Sequence, residues 1–245
     1  MLNWVAACLA VAIAFGQRDG RPRFEVASVK VSAPDGRPHM SFSPGRAVLT
    51  HVRLQDMVPF VYGVQPFLVS GGPGWMATEH FDLVGKLPVV AGMPAPGRAE
   101  ALQALQVLLE ERFRLKLHWE TKTMPLYRIT VAKSGFNLKD GEALPVDTAG
   151  GFMTNAGVRL VQRGTGLATL ASMISRLLDE PVEDTTGLQG SYSFVLEWQR
   201  NHSGGNVDED GIIGALRSQL GLNLERGKGP VKILVIDSAE RPQEN

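Results

Sequence analysis

The chain has 245 residues, and its 25 Lys and Arg side chains balance its 25 Asp and Glu side chains. It is 44% hydrophobic and 20% charged, which are ordinary values for a globular protein and exclude a wholly disordered chain. The formal net charge of zero argues against nucleic-acid binding and against charge-driven membrane binding, because both need a basic excess. The length suits one large domain or two small ones.

An apolar run near the N-terminus predicts an export signal. Residues 4–15 are too few to span a bilayer, which takes about 20 residues of helix, and small residues lie at Ala14 and Gly16. We therefore expect residues 1–16 to be a signal peptide, so that the mature protein is periplasmic or extracellular and has no membrane span. The run has no basic residue before it. A buried N-terminal helix and a lipid anchor on Cys8, the only cysteine, are the alternatives.

Four segments share one pattern, an amphipathic helix followed by two strands. In each predicted helix the apolar residues recur at helical spacing, so that they share one face. The helices cover 54–62, 98–112, 167–178 and 211–220. The strand pairs follow at 67–70 and 80–86, 114–121 and 126–133, 181–184 and 191–198, and 222–226 and 231–238. Strand pairs that follow a helix favour mostly antiparallel pairing and an α+β fold.

A longer repeat contains these four segments. Residues 40–50 precede the first helix and residues 151–161 precede the third, and both predict a β-hairpin with a glycine-containing turn. The pattern therefore predicts two tandem duplicated halves at 24–133 and 151–240, joined by a linker at 134–150. Each half is expected to be a hairpin followed by two helix–strand–strand units, with mostly antiparallel sheets.

Several long segments resemble one bacterial family. They are FEVASVK at 24–30, PFLVSGGPGW at 66–75, FDLVGKLP at 81–88, ERFRLKLHWETK at 111–122, DTTGLQGSYSFVLEW at 184–198 and LRSQLGLNLERGKGPVKILVID at 216–237. The chain resembles the acidobacterial duplicated-orphan family, an exported domain family of unknown function, from about residue 24 to its end. The resemblance implies an exported bacterial protein. Some relatives carry the domain beside a membrane metallopeptidase of the antibiotic-sensor type, and no catalytic residue is implied.

A second, weaker resemblance covers residues 167–198. This helix and its return strand are similar to the short N-terminal domain of secretins and TonB-dependent receptors. Those modules bind other envelope proteins, so the similarity implies an interaction role. It is a likeness of shape, and a shared fold does not by itself give a shared function.

The sequence carries no catalytic, cofactor or metal motif that we can assign. None of the five histidines has a second histidine at helical spacing, which a two-histidine zinc site on a helix needs; they are His39, His51, His80, His118 and His202. The segment 206–211 resembles the start of a calcium loop, but its twelfth position is Arg217, so a helix start is the preferred interpretation. Glycine-rich nucleotide motifs and the G-x-S-x-G nucleophile motif do not occur. We predict no catalytic residue, no cofactor and no metal site.

The candidate contact residues for a partner are Ser70, Gly71, Gly72, Trp75 and Trp198. Tryptophan is a frequent interface anchor, and exposed strand edges in small α+β units can accept a partner strand. We therefore predict a non-catalytic exported protein that binds an envelope protein or a cell-wall component. A tight connection between two strands, with the tryptophan packed over it, is the alternative interpretation of the glycine-rich loop.

Two other functions stay open at this stage. The metallopeptidase-linked relatives suggest a small-molecule sensor, which a closed apolar pocket would favour. A hydrolase would need a deep pocket that brings His80 or His118 together with carboxylates. The sequence does not specify the oligomeric state.

Overall fold

The computed structural model describes residues 20–89, 92, 94–140, 150–154, 157–199 and 209–242. The helices are α1 (Leu54–Tyr62), α2 (Arg98–Arg112), α3 (Leu167–Leu178) and α4 (Glu209–Ala215), which continues as a π-helical turn at Leu216–Leu220. The strands are β1 (Val26–Val31), β2 (His39–Ser43), β3 (Arg46–Arg53), β4 (Val69–Gly71), β5 (His80–Lys86), β6 (Lys116–Val131), β7 (Lys139–Asp140), β8 (Gly150–Thr154), β9 (Gly157–Thr165), β10 (Val182–Asp184), β11 (Tyr192–Gln199) and β12 (Leu222–Ser238). The predicted signal peptide lies outside the described residues, as do most of the predicted linker and residues 206–208.

The first of two compact units comprises the described residues up to Tyr62, Pro73–Lys116 and those from Ser238 onward. Its sheet has the strand order β1-β5-β3-β2, and the neighbouring strands are antiparallel. Helices α1 and α2 pack against each other. The largest fully buried side chains of this unit are Leu49, Leu54, Met57, Phe81, Leu83, Leu105, Leu109 and Phe113. Their burial accounts for the apolar face that the sequence predicts for each helix.

The second unit comprises Gly63–Gly72 and Leu117–Asp237 and contains two sheets. One has the order β7-β11-β9-β8 with antiparallel neighbours. The other has the order β10-β6-β12-β4, in which β10 runs parallel to β6 and β4 runs parallel to β12. Both sheets contribute to one apolar core with α3 and α4, whose members include Ile129, Leu170, Phe194, Ile212 and Leu222.

The α+β class and the four predicted helices are confirmed. Both predicted hairpins are also present, as the antiparallel pairs β2–β3 and β8–β9. The sheets β1-β5-β3-β2 and β7-β11-β9-β8 order their elements alike. In each, the second strand after the helix, β5 or β11, lies between the second hairpin strand and the strand that opens the sheet. The duplication of the chain and the boundaries of its halves stay predictions.

The structure differs from the prediction after α2 and α4. Each of these helices is followed by one long strand, β6 of 16 residues and β12 of 17, where the sequence pattern predicts two. Pro125 and Pro230 lie in the predicted gaps between those strands, and proline removes a donor from the ladder of a sheet. Within β6, however, Tyr127 donates its N–H to Pro181 O on the β10 side. Backbone groups alternate between the two edges of a strand, so the nitrogen of Pro125 also faces away from β12 and interrupts no bond to it.

Candidate functional site

The outer edge of β6 is covered over only part of its length. β10 is only three residues long, so it pairs with Tyr127–Ile129 and with no other part of β6. In the part of the chain that the structure describes, no strand pairs with the same edge between Leu117 and Pro125. We call this segment of β6 the free edge.

The backbone polarity of the free edge follows from the bonds at its covered end. Tyr127 N–H donates to Pro181 O at 2.8 Å, and Thr185 N–H donates to Ile129 O at 3.0 Å. Odd-numbered residues of β6 therefore turn their N–H and C=O groups outward. By alternation, the outward groups of the free edge belong to Leu117, Trp119, Thr121 and Thr123. A row of such groups is a template for another strand.

The side chains of the free edge are largely exposed to solvent. Trp119 is 43% exposed, and Lys232 Nζ of β12 lies 4.5 Å from the centre of its ring. Residues 121–123 are exposed in succession. Lys122 Nζ lies 3.3 Å from Glu120 Oε2. Charged side chains on an open edge restrain non-specific strand pairing.

A groove begins where the free edge ends. It has a volume of about 400 Å³, and its lining includes Leu126 of β6, Pro181 and Val182 at the start of β10, and Ala168 and Ser172 of α3. The helix contributes only small side chains, which keeps the groove open. Its lining continues to Lys232 of β12 and to Leu68 before β4, so the groove extends from the end of the free edge across the sheet.

His118 lies near the start of β6 and bonds to β12. Its Nδ1 is 2.9 Å from Asp237 Oδ1, and both side chains are about half exposed. Further along the strands, Thr130 Oγ1 donates to Glu225 Oε1 at 3.2 Å. The two contacts run in opposite order along β6 and β12, as in an antiparallel pair. His118 therefore lies on a solvent-exposed face of β6.

The predicted contact residues Ser70, Gly71 and Gly72 lie at β4. Ser70 and Gly71 pair in parallel with β12, and Gly72 N–H donates to Ile236 O at 3.0 Å. A Cβ on Gly71 would lie 2.5 Å from Ile236 O, and the residue has φ +82°, so only glycine fits this close approach. These residues thus have backbone partners within the chain, and their part in binding stays a prediction.

Trp75 belongs to the first unit and packs among its aromatic residues. Its ring stacks on Phe113 at 6.4 Å between centroids and meets Phe81 edge-on at 6.0 Å. The guanidinium of Arg241 lies 5.4 Å from the ring and is bound by both carboxylate oxygens of Glu79. This bond raises the pKa of Arg241. The packing agrees with the alternative interpretation of the loop, and a partner contact at Trp75 stays a prediction.

Trp198 lies in β11 and is buried, with 7% of its surface exposed. Its indole N–H has no hydrogen-bond partner among the described residues. It lines a cavity of about 440 Å³ together with Arg159 and Glu197, whose charged atoms lie 2.5 Å apart. Most of the Trp198 surface is therefore packed within the second unit, and the remainder borders this cavity.

A polar cluster that the sequence does not reveal connects β6, α4 and β12. The phenol of Tyr127 donates to Glu209 Oε1 at 2.5 Å, and Arg226 donates to both carboxylate oxygens of Glu209. The bonds from Arg226 and then from Tyr127 lower the pKa of Glu209. Burial and the bond to Glu209 raise the pKa of Tyr127. The three residues are distant in sequence, so no local motif could identify them.

Two histidines of the first unit stack on each other. The rings of His51 and His80 are 4.0 Å apart, and His51 has φ +52° at a bulge of β3. Asp82 Oδ1 accepts bonds from the His51 N–H and from Ser32 Oγ. Among the described residues, no group of three or more His, Cys, Asp or Glu side chains could hold a metal ion. Within the same residues, no helix is long and apolar enough to cross a membrane.

Fold and site together define an α+β protein whose distinguishing surface is an exposed strand edge. A family model described as a protein of unknown function (DUF3738) matches residues 55–239. The chain belongs to this family. Comparison with curated proteins and with solved structures found no match. An acidobacterial origin and the likeness to secretin and TonB-receptor modules stay predictions.

Proposed function

We propose that the protein is an exported, non-catalytic binding module of the bacterial envelope that takes up a strand of a second polypeptide chain at the free edge of β6. The location rests on the predicted signal peptide at residues 1–16 and on the family resemblance. The mode of binding is β-strand addition, in which main-chain bonds hold the partner and side-chain pockets select it.

The free edge is the observation that carries this proposal. Its outward backbone groups belong to Leu117, Trp119, Thr121 and Thr123, and each of these residues supplies one donor and one acceptor. A hydrogen bond of this kind contributes about 0.5–1.5 kcal/mol net, so a short added strand gains a useful binding energy. The groove beside Leu126 supplies a pocket for one of its side chains.

Photo-crosslinking in cells tests the proposal directly. A photoreactive residue is placed at Thr121, and a matched one at Thr169, which is exposed on α3 and lines neither the free edge nor the groove. The expected result is a cross-linked envelope protein from position 121 and none from position 169, identified by mass spectrometry. Equal products from both positions, or cross-links only to cell-wall material, would overturn binding at the edge.

The earlier candidate contacts form a second arm of the same experiment. Trp75→Ala and Trp198→Ala are introduced beside the photoreactive residue at position 121. If the free edge carries binding, both variants keep the cross-linked product while they remain folded. Loss of the product in a folded Trp75 or Trp198 variant would move the binding site to that residue.

The cavity at Trp198 favours a second candidate function, a small-molecule sensor. Its volume of about 440 Å³ lies in the range of ligand pockets, and the unpartnered indole N–H suits an acceptor group on a ligand. Thermal shift with simple acceptors such as acetamide and acetate tests it. A shift that disappears in Trp198→Phe supports a sensor, and no shift at millimolar concentration counts against it.

A further inference from the structure

We propose that the strand which adds to the free edge is β6 of a second copy of this chain, paired antiparallel with Thr121 opposite Thr121. This inference rests on the proposed strand addition and names its partner. The surface is the segment Leu117–Pro125, and the assembly is a dimer with one twofold axis at Thr121.

The length of the free edge matches this register. Thr121 pairs with Thr121, Trp119 with Thr123, and Leu117 with Pro125. These are all odd-numbered residues, so their outward N–H and C=O groups face one another as hydrogen-bonded pairs. β10 begins just beyond, opposite Tyr127, and β6 itself begins at Lys116. The incoming strand therefore ends where β10 would block it.

The charges on the edge favour the same register. In it, Glu120 of each copy lies opposite Lys122 of the other, twice across the axis. These even-numbered residues form non-hydrogen-bonded pairs, where facing side chains are closest. Within one chain the two charged groups already meet at 3.3 Å on one face of the strand. The dimer would arrange them as a square of alternating charges.

Other registers place like charges together. Sliding one strand by two residues sets Glu120 against Glu120 in one direction and Lys122 against Lys122 in the other. A parallel, in-register pair brings both like pairs side by side. Like charges that face each other across a sheet are destabilising.

The side chains on the other face of β6 are also compatible with a second copy. There Trp119 lies opposite Thr123, and Thr121 lies opposite its own counterpart. Aromatic–β-branched pairs and Thr–Thr pairs that face each other across a sheet are stabilising. The exposed Trp119 thus gains a cross-strand neighbour on its outer side, in addition to Lys232 of β12.

The decisive test exchanges the two charges on the edge. Dimerisation of the natural chain and of each variant is measured by analytical ultracentrifugation from roughly 1 to 500 μM at low salt. Glu120→Lys and Lys122→Glu should each weaken dimerisation roughly tenfold or more, because each creates two like-charge pairs. The double exchange should restore it. Lys228→Glu, an exposed reversal on β12, is the matched control and should leave dimerisation unchanged.

A proline at the axis tests the backbone pairing. Thr121→Pro removes the outward N–H on both sides of the axis and should abolish the dimer at every concentration tested. The chain should stay folded by circular dichroism, because Pro125 already occupies an equivalent outward position. A dimer that persists in a folded Thr121→Pro chain overturns the inference. If this variant does not fold, the charge exchange decides alone.

Failure of this inference is distinguishable from failure of the proposed function. A wild-type chain that stays monomeric, together with a cross-linked envelope protein at position 121, overturns the dimer and leaves the binding role intact. A dimer that the double exchange rescues, with this chain as the sole cross-linked product, supports the inference and overturns binding of a different protein. A dimer insensitive to all the charge variants overturns the inference.

Discussion

The two ends of β6 have opposite environments although they belong to one strand with one inner neighbour, β12. At the C-terminal end, Tyr127 and Ile129 are buried and β10 covers the outer edge. At the N-terminal end, Trp119 and residues 121–123 are exposed and the outer edge has no partner strand among the described residues. The difference indicates that the core requires only one end of this strand. The other end is held in an extended conformation without being needed to stabilise the core.

Hydrogen exchange should give the largest contrast within the exposed end. At a dilution where the chain is monomeric, the amides of His118, Glu120 and Lys122 face β12 and should exchange at least roughly a hundredfold more slowly than those of Thr121 and Thr123. Residue-resolved NMR exchange measures this alternation. Equal rates along the segment would contradict the outward assignment of the odd-numbered residues.

Truncating one side chain at each end of β6 should show which end contributes to the stability of the fold. Ile129→Ala leaves a cavity in the core and should lower the free energy of unfolding by about 2–5 kcal/mol. Thr123→Ala is the matched change at the exposed end and should cost less than about 0.5 kcal/mol. Urea unfolding of both variants provides the comparison. Similar losses would mean that the exposed end is part of the cooperative core.

The buried hydroxyl of Tyr127, at the C-terminal end of β6, should contribute less to the free energy of unfolding than Ile129 and more than Thr123. Tyr127→Phe keeps the ring beneath Arg226 but removes the bond to Glu209, and should cost about 1 kcal/mol. Chemical denaturation monitored by circular dichroism tests this value. An unchanged midpoint would show that solvent replaces the phenol at no cost.

The contribution of Glu209 to the stability of the fold depends on pH, and it is the smallest of the expected effects. The pKa of Glu209 is lowered by Arg226 and Tyr127, so its carboxylate stabilises the fold above the pKa of an unfolded Glu, about 4.3. This contribution is lost as the pH falls through the folded pKa. Glu209→Gln should therefore be less stable at pH 7, by under about 1 kcal/mol because the group is partly exposed, and this difference should shrink as the pH falls below the unfolded pKa. A constant difference across this range would contradict an ionic role.

Helical periodicity predicted the helices well because each has one buried face. The apolar spacing of Leu54, Met57 and Val61 in α1 is an example, since all three side chains are buried. The hairpins were also predictable, because their turns carry glycine between alternating strands. The strand breaks at Pro125 and Pro230 were wrong. Whether a proline interrupts a ladder depends on which edge its nitrogen faces, and local composition does not contain that information.

The candidate site could not be predicted to the same extent. An open edge exists only where no neighbouring strand pairs with it, and β10, which is far along the chain from β6, begins only at Val182, opposite Tyr127. The same holds for Tyr127 and Glu209, which only the sheet and α4 bring together. Trp75 and Trp198 were chosen for their residue type, and the structure gives both a packing role within their own units.

Pro125 limits the reach of any strand that docks on β6. A docked chain can receive an N–H donor from Thr123, but at Pro125 the donor is missing, and beyond it β10 occupies the edge. The free edge therefore has a fixed length, and it can pair with a short extended segment only. A strand edge with a built-in end favours a discrete complex and disfavours open-ended fibre growth.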